Sequence, residues 1–216
     1  ASYHEAVNKS NIRKFNRKLF LDMFESLKDM SGMNSLTGSL YLINDFCKAC
    51  GINFYMRHSI PNARIRAVTI VDDNNNIFII VSDLFKSIEN LWISFVHECF
   101  HIKNNDLMMG SNSANENVES EKNAINKTIS FFVGSNFTNQ ITSKITLFDL
   151  QMISKSTGTA MGIVIEIFRW KTNIYNNSDK PIQKLAIYVH NNEKHKCIDY
   201  ISLFEISFLF FYFKKN

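Results

Sequence analysis

Apolar residues recur along this chain at two periods, and the switches between them divide it into elements. Over residues 3–28, Ile12, Phe15, Leu19, Phe20, Met23, Phe24 and Leu27 fall mostly three or four apart, which predicts a helix buried along one face and ended by Ser31-Gly32. A second helix is expected over 35–50, with Gly51 as its stop. Residues 52–56 read as a strand, and Pro61-Asn62 marks a turn. Two further strands, 66–71 and 77–81, flank the hairpin-like connection Asp72-Asp73-Asn74-Asn75-Asn76. Ile88, Leu91, Trp92, Phe95, Val96, Phe100 and Ile102 then return at mixed spacings, as a largely buried helix requires. A polar stretch over 104–117 predicts a loop above it, and another helix begins near Val118, runs through Glu121, Ala124, Ile125, Thr128, Ile129 and Phe132, and breaks at Gly134-Ser135-Asn136. Short helices are expected over 146–157 and 161–172, separated by Gly158. The expected class is therefore α+β, mainly helical, with a small antiparallel or mixed sheet ahead of the buried helix.

That buried helix carries the chemistry. His97-Glu98-Cys99-Phe100-His101 is an HExxH motif. Positions four apart stack on one helix face, so both imidazoles can grip one Zn2+ ion while Glu98 reaches a metal-activated water as general base. Open catalytic sites of this kind take three protein ligands. Glu121 is expected to be the third, because it lies on the next predicted helix one turn before Ala124, whose small side chain lets two helices approach. Glu119 competes with it, and Asp106 or Glu116 would serve if the loop folded back. Without a metal the same residues are two surface histidines and a solvated acidic face. Tyr175, His190 and His195 are candidate donors to an oxyanion, although no spacing places them within reach.

Charge and composition narrow the partners. Twenty-four Lys and Arg against twenty Asp and Glu leave +4 over 216 residues. The basic residues are scattered apart from Arg13-Lys14, Arg17-Lys18 and Lys214-Lys215, which fits the solvated face of a helix better than a nucleic-acid stripe. Cys47, Cys50, Cys99 and Cys197 follow no secretory apolar segment, so a reduced, cytoplasmic setting is expected. The CxxC formed by Cys47 and Cys50 has no second pair and reads as apolar packing. The aromatic run 198–213 is interrupted by Asp199 and Glu205 and falls short of the roughly 20 apolar residues a bilayer span needs. A buried element or a surface for self-association, as in a homo-oligomer, is expected there.

These motifs resemble the ImmA/IrrE-type zinc metallopeptidase-like domain, especially the form joined to HigA-like, XRE-type antitoxins and phage regulators. Trp92-Ile93-Ser94-Phe95-Val96-His97-Glu98-Cys99-Phe100-His101 is similar to that family's aromatic-led helix ending in HE, Ile or Leu, then GH. Glu121-Lys122-Asn123-Ala124-Ile125-Asn126 loosely resembles its ExxAnxFA helix, whose glutamate is a metal ligand, and Gly158-Thr159-Ala160-Met161-Gly162-Ile163-Val164 looks like its terminal GIxPGIVVGRLQ segment. The resemblance implies a zincin-like domain over 1–190, an aromatic tail over 191–216 without counterpart, Zn2+ on His97, His101 and Glu121, and Glu98 as catalytic base. The implied function is an endopeptidase cleaving an intracellular regulatory protein. The resemblance also admits a catalytically silent antitoxin-like or sensor module that binds a protein partner such as a repressor or toxin. Phe100 stands where the family has glycine, Ile167 where it has arginine, and Phe131-Phe132-Val133-Gly134 lacks the family's proline ending. With no helix-turn-helix domain in this sequence, direct nucleic-acid binding is not expected.

Overall fold

A computed structural model describes residues 12–59, 65–85, 87–107 and 114–172. The expected turn at Pro61-Asn62, the boundary at residue 190, the aromatic tail and Cys197 lie outside the described residues.

Among the described residues, the first predicted helix begins later than its periodicity suggests. Residues 12–16 are not helical; α1 spans Arg17–Met23, passes through a 3-10 turn at Phe24–Ser26 and continues as α2 over Leu27–Met30. The reason lies in competing partners. The Asn16 side chain accepts the Leu19 backbone N–H (3.1 Å) and caps the helix, while the backbone N–H of Asn16 donates to the Cys50 carbonyl (2.8 Å). The Arg13 backbone N–H donates to Asn53 Oδ1 (3.0 Å), so residues 12–16 follow the next helix-to-strand connection instead of coiling. Gly51 makes this approach possible: its φ is +74°, and a Cβ there would lie 1.9 Å from the Lys14 carbonyl oxygen.

Helix α3 spans Leu36–Cys50 and is capped by Ser35, whose Oγ accepts the Gly38 N–H. Strands β1 (Asn53–Arg57), β2 (Ala67–Val71) and β3 (Ile77–Ser82) form a sheet in the order β1-β3-β2. β1 runs parallel to β3, with Phe54 opposite Ile79, and β2 runs antiparallel, with Thr69 opposite the same residue. The sheet is thus mixed. The hairpin between β2 and β3 is closed by Asp72, whose carboxylate accepts the N–H groups of Asn74 (2.9 Å) and Asn76 (2.8 Å).

Helix α4 spans Ile88–Asn104, α5 Ala114–Val133, α6 Ser135–Thr138, α7 Leu147–Thr157 and α8 Met161–Thr172. α5 starts four residues before the expected Val118, within the stretch predicted as loop. α4 is the centre of the core: Leu91, Trp92, Phe95, Val96, Cys99 and Ile102 have no exposure. Phe54, Ile79 and Val81 belong to its cluster, whereas Tyr55, Phe78 and Ile80 form a separate one, as strand alternation requires. Cys47, Cys50 and Cys99 are free thiols buried in the described core, and burial pushes the Cys50 thiol up to about 11. Packing, rather than redox or metal chemistry, is the role this supports for the CxxC. Arg17, expected on a solvated face, donates instead to the carbonyls of Ile102 and Lys103 (3.1 Å each) and ties α1 to the C-terminus of α4. Among the described residues no helix is long and apolar enough to cross a membrane.

Candidate metal centre

Residues 97 and 101 sit one turn apart on α4, and their ring planes are nearly perpendicular, with centroids 4.8 Å apart. The two Nε2 atoms approach to 3.2 Å. Glu121, from the second turn of α5, completes the group: its Oε2 lies 3.2 Å from His97 Nε2 and its Oε1 3.3 Å from His101 Nε2. These three side chains could hold a metal ion, each offering one ligand atom. The spacing can be tested against zinc chemistry. Donors at the usual zinc–nitrogen distance and tetrahedral angle lie about 3.3 Å apart. The two Nε2 atoms stand at that separation from each other, and each also stands at it from a different oxygen of the Glu121 carboxylate.

The competing acids fall elsewhere. Asp106 meets the opposite nitrogen of His101, with Oδ1 3.1 Å from Nδ1, and is itself held by the Ser120 hydroxyl (2.8 Å). It therefore directs His101 Nε2 toward the cluster without joining it. Glu119 is exposed and stands outside the group, and the Glu116 side chain lies outside the described residues. Tyr175, His190 and His195 also lie outside them.

Electrostatics reinforce the cluster. Hydrogen bonds from His101 and His97 hold the Glu121 carboxyl well below the usual carboxylate range. Burial alone would depress His101, but its bond to Glu121 and the nearby carboxylates of Glu98 and Asp106 carry it up to about 9.

Glu98 is buried at 7% exposure, and its Oε2 accepts the Thr69 hydroxyl at 2.8 Å. Burial raises its pKa, opposed by His97 and by that hydroxyl. Thr69 went unnoticed in sequence because a β-branched residue in a strand needs no explanation; only the register of β2 beside α4 brings it to Glu98.

An open cleft of about 380 Å³ leads to these groups, bounded by Arg66, Ala67, Ser94, His97, Glu98, Glu121 and Trp170 among others. Phe100 is absent from its lining. That ring turns the other way, 5.0 Å from the Phe24 ring and 6.0 Å from Phe131, both edge-on. Ile167 is fully buried in the core and contributes nothing polar. Two residues on, Arg169 pairs with Glu166, which in turn accepts Asn90 Nδ2 at 3.0 Å.

No family model matches the chain, and no curated protein matches it. Among solved structures, a Mycobacterium tuberculosis transcriptional regulator aligns with a TM-score of 0.38 and 12% identity, over 76% of this chain and 49% of that one. The chain spans about half the length of that protein. A likeness this distant carries no argument about function, and the site stands on its own geometry.

Proposed function

We propose that this protein is a zinc-dependent endopeptidase with a zincin-like site, acting on an intracellular regulatory protein. The observation that carries the reading is the convergence of two Nε2 atoms and a carboxylate at 3.2–3.3 Å beside a separately held, buried glutamate. His97, His101 and Glu121 would hold the ion, leaving a side open toward the cleft. Zn2+ bound there would lower the pKa of a water to about 7 and polarise a carbonyl.

The chain's own residues supply the rest. Thr69 occupies Glu98 Oε2, and no hydrogen bond from the described residues reaches Oε1, which would take the proton of the attacking water and pass it to the leaving amine. A raised pKa suits that exchange, because a buried carboxyl accepts a proton more readily than an exposed one. Asp106 keeps the His101 Nδ1 proton in place, which leaves Nε2 as the donor to metal. Among the described residues β2 is an edge strand, and the residues at and before its start border the cleft. An unpaired strand edge beside the site fits an extended peptide as ligand.

The test compares zinc-loaded wild type with Glu98→Gln on a proteome-derived peptide library, reading new termini by mass spectrometry. Cleavage should fall by about 10²–10⁴-fold with zinc retained. Undiminished cleavage would end the proposal, and no cleavage by either protein, with tight zinc-independent partner binding, would favour an antitoxin-like or sensor module.

A further inference from the structure

Arg66 is the one permanently charged cation among the described residues that line the cleft. Its Nη1 donates to Asn90 Oδ1 at 3.0 Å, and its guanidinium carbon lies 6.0 Å from the centre of the Trp170 ring. Asn90 is fixed in turn by Glu166, which pairs with Arg169, so that carboxylate already has two partners. Among the described residues, Arg66 Nε and Nη2 have no hydrogen-bond acceptor. A planar guanidinium held from two sides, with spare donors at the wall of an open cleft, is suited to bidentate capture of a carboxylate.

Helix geometry sets how far this lies from the metal cluster. Asn90 and His97 both belong to α4, and the seven-residue step between them amounts to on the order of 10 Å along the axis. An extended peptide advances about 3.3 Å per residue, so Arg66 stands about three residues from the reacting carbonyl. That is too far to stabilise the carbonyl under attack and suitable for reading a group elsewhere on the ligand.

We infer that Arg66 is a specificity residue that binds a carboxylate carried about two to four residues from the bond being cut, the number following from the strand rise. The statement about the bond rests on the peptidase reading; the carboxylate site itself does not. Its source is an acidic side chain or the end of the peptide chain.

The probes are short peptides bearing a zinc-binding hydroxamate at the carboxyl or the amino end. Asp or Asn is placed two to four residues away, and the amino-end series also carries a free or an amidated C-terminus. Affinities are measured by calorimetry, with and without Zn2+, for wild type, Arg66→Gln and Arg66→Lys. Wild type should favour the carboxylate member of a pair on the order of tenfold, as charge-assisted hydrogen bonds do. Arg66→Gln should erase that preference without weakening the uncharged member, and Arg66→Lys should keep part of it. A preference for Asp assigns the side chain, and one for the free acid assigns the terminus. No preference in wild type, or one that survives Arg66→Gln, overturns the inference. Hydroxamate affinity that ignores zinc, with the Arg66-dependent preference intact, would instead overturn the zinc reading and leave the carboxylate site standing.

Discussion

Helices α4 and α5 both contribute to the candidate metal site and are opposite in character. Between residues 88 and 102 every position of α4 except His97 is buried, whereas Glu121, Lys122, Asn123, Ile125, Asn126 and Lys127 of α5 are exposed and Ala124, Thr128, Ile129, Phe132 and Val133 are its buried positions among the described side chains. The histidine pair is therefore set by core packing, independently of any ion. Glu121, about half exposed, is placed by the close approach at Ala124 and by the imidazoles it faces. One partner of the site is rigid, and the other is held mainly by the chemistry of the site itself.

The contrast breaks most directly at the ligands. His101→Ala should abolish stoichiometric zinc in the purified chain, and Glu121→Gln should also lose it while the chain stays folded, because the Glu121 side chain is half-exposed and fills no core space. Stoichiometric zinc in Glu121→Gln would reject its assignment as a ligand. Next in size is the far face of α4. Phe100→Ala should cost about 3–5 kcal/mol in a denaturant titration, because it empties the space between Phe24 and Phe131. Zinc stoichiometry measured below the transition should not change; if it does, Phe100 belongs to the site after all.

Asp106→Asn should weaken zinc by about 10–100-fold in a chelator competition, with little change in melting temperature. An unchanged affinity would mean that the α4 backbone alone orients His101. The mildest perturbation, one that changes no residue, is that of pH. With His101 raised to about 9, zinc must displace its proton at neutral pH, so affinity should climb by up to about tenfold per unit and level off near that value. In the metal-free chain the sign is reversed. A raised folded pKa stabilises fully below the ordinary 6.5, and that contribution fades as pH rises through about 9. Flat profiles in both experiments would show that His101 does not share a proton with Glu121.

The pattern of the chain was enough to locate most elements, because apolar spacing reports burial and burial is local to a helix or strand. The HExxH spacing likewise implied that His97 and His101 face one way, since four residues are close to one turn. Glu121 was legible for a different reason: a carboxylate one turn before a small residue on the following helix is a short-range pattern. The first helix misled, because residues 12–16 keep helical spacing while their backbone bonds go to Cys50 and Asn53, distant in sequence.

What tertiary structure alone decided are the contacts between groups with no sequence relation. Thr69 reaches Glu98 only through the antiparallel register of β2, Asp106 turns from competing ligand to orienting partner, and Arg66 meets Asn90 and Trp170 from three distant parts of the chain. Phe100 is the clearest case. Its spacing shows that it is buried, but which rings surround it depends on how the 3-10 turn and α5 pack against α4. Periodicity reports which face of an element is covered, and only packing determines what covers it.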